Sequence, residues 1–169
     1  MIKEIVERRT CRKFDPNKMV KEEDINDIIQ AGLLAPSGLN SQEVIIIAIT
    51  NKEIRDKLSV LNSMGRGGDP FYGAPVVLLV IAKKSFLAEV NGACVIENML
   101  LEATHLGLGT GWIHRAKEEI ESEEGRELLK DTGINFDDYV GIGHVILGYN
   151  DGYEPAPKEI KPNRVYRIK

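Results

Sequence analysis

Apolar residues recur along this chain with two spacings, which separate the predicted helices from the predicted strands. Residues 21–34 carry Ile25 and Ile28 on one side, at the three- to four-residue period of an amphipathic helix. Residues 44–49 and 76–81 are instead unbroken runs of mainly β-branched and aliphatic side chains, typical of strands covered on both faces. The first run is predicted to be a central strand, and the second another buried strand.

The remaining elements follow from the same reasoning. Further helices are predicted over residues 2–9, 52–61, 91–106 and 122–132, and further short strands within residues 107–113 and 139–147. This order predicts a single α+β domain over residues 1–169, with a central mixed, mainly antiparallel sheet flanked by helices. After Gly148, prolines stand among charged residues, so residues 149–169 are predicted to form an extended C-terminal arm, with strand character returning at residues 164–168.

Composition excludes several classes of protein. The 169 residues are 43% hydrophobic with a net charge of −4, which fits one compact domain and leaves no basic stripe for nucleic acid. The longest apolar run, residues 74–82, is shorter than the roughly 20 residues that cross a bilayer, and the polar N-terminal residues lack the apolar stretch expected of a signal peptide. Cys11 and Cys94 form no C-x-x-C pair and the histidines lack metal-ligand spacing, so neither a disulfide nor a metal site is predicted. We therefore expect a soluble, cytoplasmic protein without a membrane partner.

Two polar segments are candidates for binding a ligand. Arg8, Arg9 and Arg12 surround the hydroxyl of Thr10 at a helix end, and such forked donors suit a phosphate monoester. The alternative is a solvated basic turn that complements the helix C-terminus. Residues 35–42 place amide and hydroxyl groups between a helix and a buried strand, where they could bind the polar edge of a ligand or simply end the helix.

Four motifs, in the same order along the chain, resemble those of the FMN-dependent nitroreductase family. They are Arg8-Arg9-Thr10-Cys11-Arg12-Lys13-Phe14, Ala35-Pro36-Ser37 followed by Asn40 and Gln42, residues 97–113, and Leu147-Gly148-Tyr149 with a basic C-terminal tail. Together they cover most of the chain. The resemblance implies a nitroreductase-like fold and a homodimer with two FMN sites at its interface, each built from both chains, with the C-terminal arm docking on the partner subunit.

The resemblance also implies roles for particular residues. The phosphate and ribityl end of FMN would be held by Arg8, Arg9, Thr10 and Arg12. The partner's flavin would be reached by Pro36, Ser37, Leu39, Asn40 and Gln42. The isoalloxazine ring would lie against Trp112, Ile113 and His114, with Asn62 near its pyrimidine side. A basic residue of the arm would close on the phosphate, with Lys161 preferred over Lys158; for Arg164, a solvated position is the preferred interpretation.

The implied activity is that of a flavoenzyme. NADH or NADPH would deliver hydride to flavin N5 and leave, and an electron-poor small molecule such as a nitroaromatic or quinone would then take its place, in a ping-pong mechanism. No side chain need act as a general acid, so no catalytic residue is predicted. The alternatives are a specialised flavin reductase, oxidase or dehalogenase, a non-catalytic FMN-binding redox sensor, and a pure interaction module.

We expect only a small part of the chain to cover the ligand-binding pocket. The connection between Ile81 and Asn91 is too short for a helical excursion over the site. The pocket is therefore predicted to be open, or roofed mainly by the glycine-rich loop at residues 65–71.

Overall fold

The computed structural model describes residues 1–169, which form six α-helices and four β-strands. The helices are α1 (Lys3–Glu7), α2 (Glu22–Leu33), α3 (Lys52–Ser63), α4 (Ala88–His105), α5 (Ala116–Glu121) and α6 (Glu123–Leu128). The strands are β1 (Val44–Ile49), β2 (Val76–Lys83), β3 (Gly109–Ile113) and β4 (Tyr139–Gly148). Single 3₁₀ turns lie at Gly38–Asn40, Lys130–Thr132 and Phe136–Asp138.

The four strands form one sheet in the order β1-β2-β4-β3, and every pair of neighbouring strands is antiparallel. Strand β2 lies inside the sheet and is buried from Val76 to Ala82, which explains its unbroken apolar run. The prediction that residues 44–49 form a central strand was wrong. Strand β1 pairs only with β2, and its residues from Val44 to Ile47 are only partly buried in the single chain.

Helices cover both faces of the sheet. On one face, α2 and α4 pack over the even-numbered core residues of β2, such as Leu78 and Val80. On the other face, α3 and α5 meet Leu79 and Ile81. The predicted helix at residues 91–106 lies within α4, in which eight residues are buried and which contacts α2 and several strands. Helix α4 contacts all four strands of the sheet, β3 and β4 among them.

The predicted helix over residues 122–132 is shorter than expected and has a neighbour that the sequence pattern did not indicate. Ser122 caps α6, because its Oγ accepts a hydrogen bond from the Gly125 amide at 3.0 Å. The helix then ends at Leu128 and gives way to a 3₁₀ turn. Helix α5 precedes it, and it is too short for a periodic pattern of apolar residues to be recognised in the sequence.

The glycine-rich stretch ends α3 as predicted. Met64 takes a left-handed conformation at the helix end, followed by Gly65, Gly67 and Gly68 with φ between 72° and 78°. Asp69 then anchors the loop, since its carboxylate accepts hydrogen bonds from Ser59 and from the guanidinium of Arg55, among others. These bonds outweigh the opposing effect of burial and hold the pKa of Asp69 below its usual value.

Residues beyond Asn150 form neither helix nor strand in the single chain, so the predicted strand at residues 164–168 is absent from it. From Ala156 onward every residue of the C-terminal arm is exposed. None of the six helices combines the length and the hydropathy needed to cross a membrane.

Candidate functional site

The arginine segment, residues 8–12, runs along the outer edge of β3. Thr10 forms a parallel bridge with Thr110, and the Cys11 amide donates to the Thr110 carbonyl at 2.8 Å. Glycines on β3 permit this approach: a Cβ at Gly111 would lie 2.9 Å from Thr10 Cγ2, and one at Gly109 would lie 2.9 Å from Cys11 Sγ. The glycine-rich sequence before Trp112 therefore serves to seat the arginine segment on the sheet.

Two of the three arginines line one small cavity. Arg8 is largely buried, and its Nε lies 3.9 Å from a carboxylate oxygen of Glu97 on α4. The Nη1 of Arg9 donates to the Arg8 carbonyl at 2.6 Å, which folds that side chain back on its own backbone. Both side chains lie at a cavity of about 260 Å³ that is also lined by Gly107 and Gly109.

Arg12 takes a different direction. Its Nη1 donates to the hydroxyl of Tyr153 at 2.9 Å, and its guanidinium lies 6.0 Å from the centre of the Tyr72 ring. Tyr153 belongs to the C-terminal arm, so Arg12 ties the arginine segment to the start of that arm. No sequence pattern predicts this contact, because the two residues are 141 positions apart.

The Trp112 segment, residues 112–114, leaves the sheet beside this region. Trp112 is 38% exposed at the edge of the sheet and rests directly above Gly143 of β4. The indole and the exposed imidazole of His114 meet edge to face, with ring centres 6.3 Å apart and an angle of 87° between the planes. These two rings and Arg115 line a second cavity, of about 460 Å³. A planar, partly apolar surface next to a cavity suits an aromatic ligand.

Asn62 lies behind the Trp112 segment and is only 2% exposed. Its Nδ2 donates to the carbonyl of His114 at 2.8 Å and to a carboxylate oxygen of Glu119 at 2.6 Å. Arg115 in turn contacts Asn62, because its Nη1 donates a hydrogen bond to the backbone carbonyl of Asn62 at 3.1 Å. The side-chain nitrogen of Asn62 is therefore directed at protein acceptors, and Asn62 supports the Trp112 segment from inside.

Residues 36–42 form a preshaped loop near the N-terminal end of α4. Leu39, Asn40 and Gln42 have φ values of 57°, 52° and 49°, which side-chain-bearing residues seldom adopt. Buried Asn91 holds the loop, because its Oδ1 accepts from the Gly38 amide at 2.9 Å and its Nδ2 donates to Ser41. Within the loop, Ser37 Oγ accepts from the Gln42 amide, and the Gln42 side chain donates to that of Asn40.

This loop and the cavity beside Arg8 stand at opposite ends of α4. Leu39 is 91% exposed and Pro36 is exposed beside it, so the loop presents an apolar tip. The loop is anchored at Asn91, whereas the cavity is lined by Thr104, and 13 residues of helix span about 20 Å. One chain therefore does not bring its loop to its own arginine segment.

The basic residues of the C-terminal arm make no ion pair in the single chain. Lys158, Lys161 and Arg164 are all exposed. The geometry of one chain therefore favours none of the three as a phosphate ligand.

Sequence reasoning missed the most deeply buried charged group near the site. Glu119 on α5 is 1% exposed and its Oε2 lies 2.8 Å from Nε2 of His144, which is fully buried. The Nδ1 of His144 has no hydrogen-bond partner. His105, by contrast, is exposed, with its Nδ1 2.8 Å from Glu4.

Comparisons with known sequences agree on one family. The sequence profile of the nitroreductase family matches residues 5–65. A protein of Archaeoglobus fulgidus named NADH dehydrogenase/NAD(P)H nitroreductase is 32% identical over 178 aligned residues, covering 99% of this chain and 97% of that protein. A Bacillus subtilis protein named FMN reductase (NAD(P)H) is 30% identical over 71% of this chain, a match that spans 50% of that protein.

Solved structures resemble the chain over nearly its whole length. A Bacteroides fragilis nitroreductase with bound FMN superposes with a TM-score of 0.87 at 27% identity, covering 98% of this chain and 97% of that one. A Desulfitobacterium hafniense nitroreductase with bound FMN has a TM-score of 0.85 at 25% identity, with both chains fully covered.

Proposed function

Because this chain belongs to the nitroreductase family, we propose that it is an FMN-dependent oxidoreductase that uses NADH or NADPH to reduce electron-poor small molecules. The observation that carries the proposal is the arrangement along β3. There the arginine segment, suited to a phosphate, and the Trp112 segment, suited to an aromatic ring, lie on one strand that is five residues long. FMN has a phosphate at one end and an aromatic ring at the other.

The residues present fit FMN chemically. Arg8 and Arg9 bring two permanent positive charges to a cavity bordered by Gly107 and Gly109, where little side-chain volume obstructs an anion. Thr10 adds a hydroxyl beside them, and Arg12 stands at the far end of the segment. When bound, FMN would supply hydride transfer at its N5 atom. The protein would orient the ring along the Trp112 segment and exclude water from one of its faces.

We propose that the complete site requires two chains. The loop at residues 36–42 lies about 20 Å along α4 from the cavity of its own chain, so Pro36, Ser37, Leu39, Asn40 and Gln42 would serve the site of the partner. The exposed side chain of Leu39 supports this assignment, because an apolar tip held rigidly in solvent is typical of a contact surface. In the homodimer, Lys158 and Lys161 of the C-terminal arm remain candidates for closing on the phosphate.

We further propose a ping-pong mechanism in which the nicotinamide and the acceptor use the same open cavity in turn. The cavity beside Trp112 and His114 measures about 460 Å³ and is bordered by α4 and α5. No additional helix covers it between β2 and α4, because the chain there is only four residues long. Nitroaromatics and quinones are flat acceptors that suit this shape. The Bacillus subtilis relative supports a second candidate acceptor, free flavin, since it is named an FMN reductase.

Anaerobic spectroscopy of the purified protein tests the proposal. The visible spectrum should show bound flavin, NADH or NADPH should bleach it, and a nitroaromatic, a quinone or free FMN should restore it. A colourless protein that binds no added FMN would contradict the cofactor assignment. Bound FMN that neither nicotinamide can bleach would instead favour a redox sensor.

The double substitution Arg8→Ala with Arg12→Ala should weaken FMN binding by roughly 10²- to 10⁴-fold, because each of the two charge-assisted hydrogen bonds to phosphate contributes about 1.5–3 kcal/mol. The helical core should remain folded, since the Arg12 side chain is exposed and Arg8 borders the cavity. Isothermal titration with FMN measures the affinity, and circular dichroism measures the fold.

The matched control is Lys52→Ala with Lys57→Ala, which removes the same charge from the exposed surface of α3. This control should bind FMN like the wild type. Equal affinities in the two double variants would remove the phosphate assignment.

A further inference from the structure

A buried glutamate–histidine pair stands directly behind the Trp112 segment. Glu119 and His144 are 1% and 0% exposed, and Oε2 of Glu119 lies 2.8 Å from Nε2 of His144. Burying such a pair takes both groups away from water, and two well-packed apolar side chains often give equal or greater stability. Its presence next to the candidate site calls for a role other than holding the core together.

The pair reaches the site through one side chain. The second carboxylate oxygen of Glu119 accepts from Nδ2 of Asn62 at 2.6 Å, and the same nitrogen donates to the carbonyl of His114 at 2.8 Å. The amide orientation of Asn62 is thereby determined, because its two hydrogens point at two different acceptors. A change at Glu119 would release the nitrogen that holds the His114 carbonyl.

The backbone that follows the Trp112 segment needs such a restraint. Arg115 has a φ of 71°, a left-handed conformation that costs free energy for a residue with a side chain. Its guanidinium donates to the Asn62 carbonyl at 3.1 Å, so Asn62 binds this turn through both its side chain and its backbone. Buried Asn62 therefore stabilises the backbone conformation of this turn.

We infer that Glu119 is a positioning residue: acting through Asn62, it fixes the His114 carbonyl and so sets how the Trp112 segment lies against the cofactor. His144 holds the carboxylate in place from the opposite side. The identity of the cofactor in this inference rests on the proposed function. The link from Glu119 to the segment rests only on the contacts within the chain.

Trp112 provides a direct readout, because it is the only tryptophan in the protein. In the full chain without added FMN, Glu119→Ala should shift Trp112 emission and increase its quenching by acrylamide, since the segment loses its restraint. Glu119→Gln should restore both to wild-type values, because an amide can accept from Asn62 and donate to His144. Asn62→Ala removes the link but keeps the contact between Glu119 and His144, and it should reproduce the effect of Glu119→Ala.

Two control variants separate positioning from general stability. Glu121→Ala alters an exposed side chain on the same helix. Ile28→Ala truncates a fully buried side chain in the opposite core layer, and so lowers stability away from the site. Both should leave Trp112 emission and quenching unchanged while the protein is folded.

The FMN-bound protein gives a second readout. Glu119→Ala should lower kcat by roughly ten- to a hundredfold, as small misplacements near a reacting centre do, while the affinity for FMN changes little because the arginine segment is intact. The midpoint potential of the bound flavin should also shift. Glu119→Gln should recover most of kcat.

The outcomes are distinguishable. If folded Glu119→Ala and Asn62→Ala proteins show wild-type Trp112 quenching, the inference is wrong, whether or not FMN binds. If Glu119→Ala does not fold, Asn62→Ala decides the same question alone. If the wild type binds no FMN but Trp112 responds as expected, the positioning inference stands and the proposed function fails.

Discussion

Trp112 rests on a glycine, and this single contact sets the height of the indole above the sheet. A Cβ at Gly143 would lie 2.2 Å from Nε1 of Trp112 and 3.0 Å from the Ile113 carbonyl. No rotamer change of a methyl group can relieve such an approach, so any side chain at residue 143 must move the indole. The flat surface offered to a ligand thus depends on a residue that has no polar group of its own.

Gly143→Ala should therefore displace Trp112 and lower kcat/KM for the acceptor, with a loss of stability of about 1–3 kcal/mol from overpacking. Steady-state kinetics and urea unfolding measure the two effects. Val77→Ala is a suitable comparison, since it destabilises the buried strand β2 without altering the contact beneath Trp112. Equal kcat/KM in Gly143→Ala and wild type, at full FMN occupancy, would show that the height of the indole is immaterial.

Residue-level prediction from sequence succeeded for local contacts and failed for distant ones. The arginines cluster because they are neighbours in the chain, and their motif is visible without a structure. The burial of Asn62 was not predictable, because its acceptors lie 52 and 57 positions away. The pairing of Glu119 with His144 joins a helix to a strand across 25 positions and likewise leaves no periodic signal.

At the scale of elements, α1 is the least secure helix and yet it leads into the arginine segment. It has five residues and none is buried, and a helix that short does not persist without tertiary contacts. Its main polar tether is Glu4, whose carboxylate lies 2.8 Å from Nδ1 of His105 in the last turn of α4. This hydrogen bond raises the pKa of His105 and lowers that of Glu4.

The tether should depend on pH. Because the pKa of His105 is raised in the folded chain, its contribution is complete below the unfolded value of about 6.5 and is lost as the pH rises through the folded value. Because the pKa of Glu4 is lowered, its contribution is lost on acidification below about pH 4.3. Hydrogen exchange in residues 3–8 should therefore be slowest, relative to the intrinsic rate, between these limits.

His105→Gln should abolish the upper part of that pH dependence. Lys3→Ala removes only an exposed pair within α1 and should retain it. A wild-type protection profile that is flat between pH 6 and pH 8 would contradict the role of the histidine.

Element prediction was most accurate where one helix or strand is covered by the chain itself. The run at residues 76–81 lies within β2, and the periodic segment at residues 21–34 contains α2. The run at residues 44–49 forms β1 as predicted but at an edge, because an apolar sequence indicates burial without indicating what provides it. Helix α5 was missed since its six residues span less than two turns.

For the whole molecule, two surfaces are left uncovered in the single chain: the outer edge of β1 and the C-terminal arm. Ile45 and Ile47 are only partly buried on a strand whose outer hydrogen-bonding groups face no other strand of the chain. Residues 164–168 have strand-forming composition, with Val165, Tyr166 and Ile168 exposed. We propose that the C-terminal arm crosses to the partner subunit, where such surfaces can be covered.

Deleting residues 157–169 should leave the sheet and both core layers intact, because every deleted residue is exposed in the single chain. The truncated protein should dimerise less tightly and retain less FMN. Analytical ultracentrifugation measures the association, and the visible spectrum measures the cofactor. The full-length double variant Lys158→Ala with Lys161→Ala provides the comparison, since it removes two charges but keeps the apolar side chains of the arm.

These two proteins separate the functions of the arm. If the double lysine variant dimerises normally but loses FMN, a lysine serves the phosphate; if it matches the wild type, the arm acts only by docking. A truncated protein with normal dimerisation and normal FMN content would contradict the docking proposal.

The separation of the loop at residues 36–42 from the arginine segment has a genetic consequence. In the proposed dimer, a lesion in the loop and a lesion in the arginine segment damage opposite halves of each site. Two defective alleles of these kinds, expressed in one cell, would assemble mixed dimers in which one site carries both lesions and the other carries none. Such alleles should complement each other, whereas two alleles that affect the same half should not.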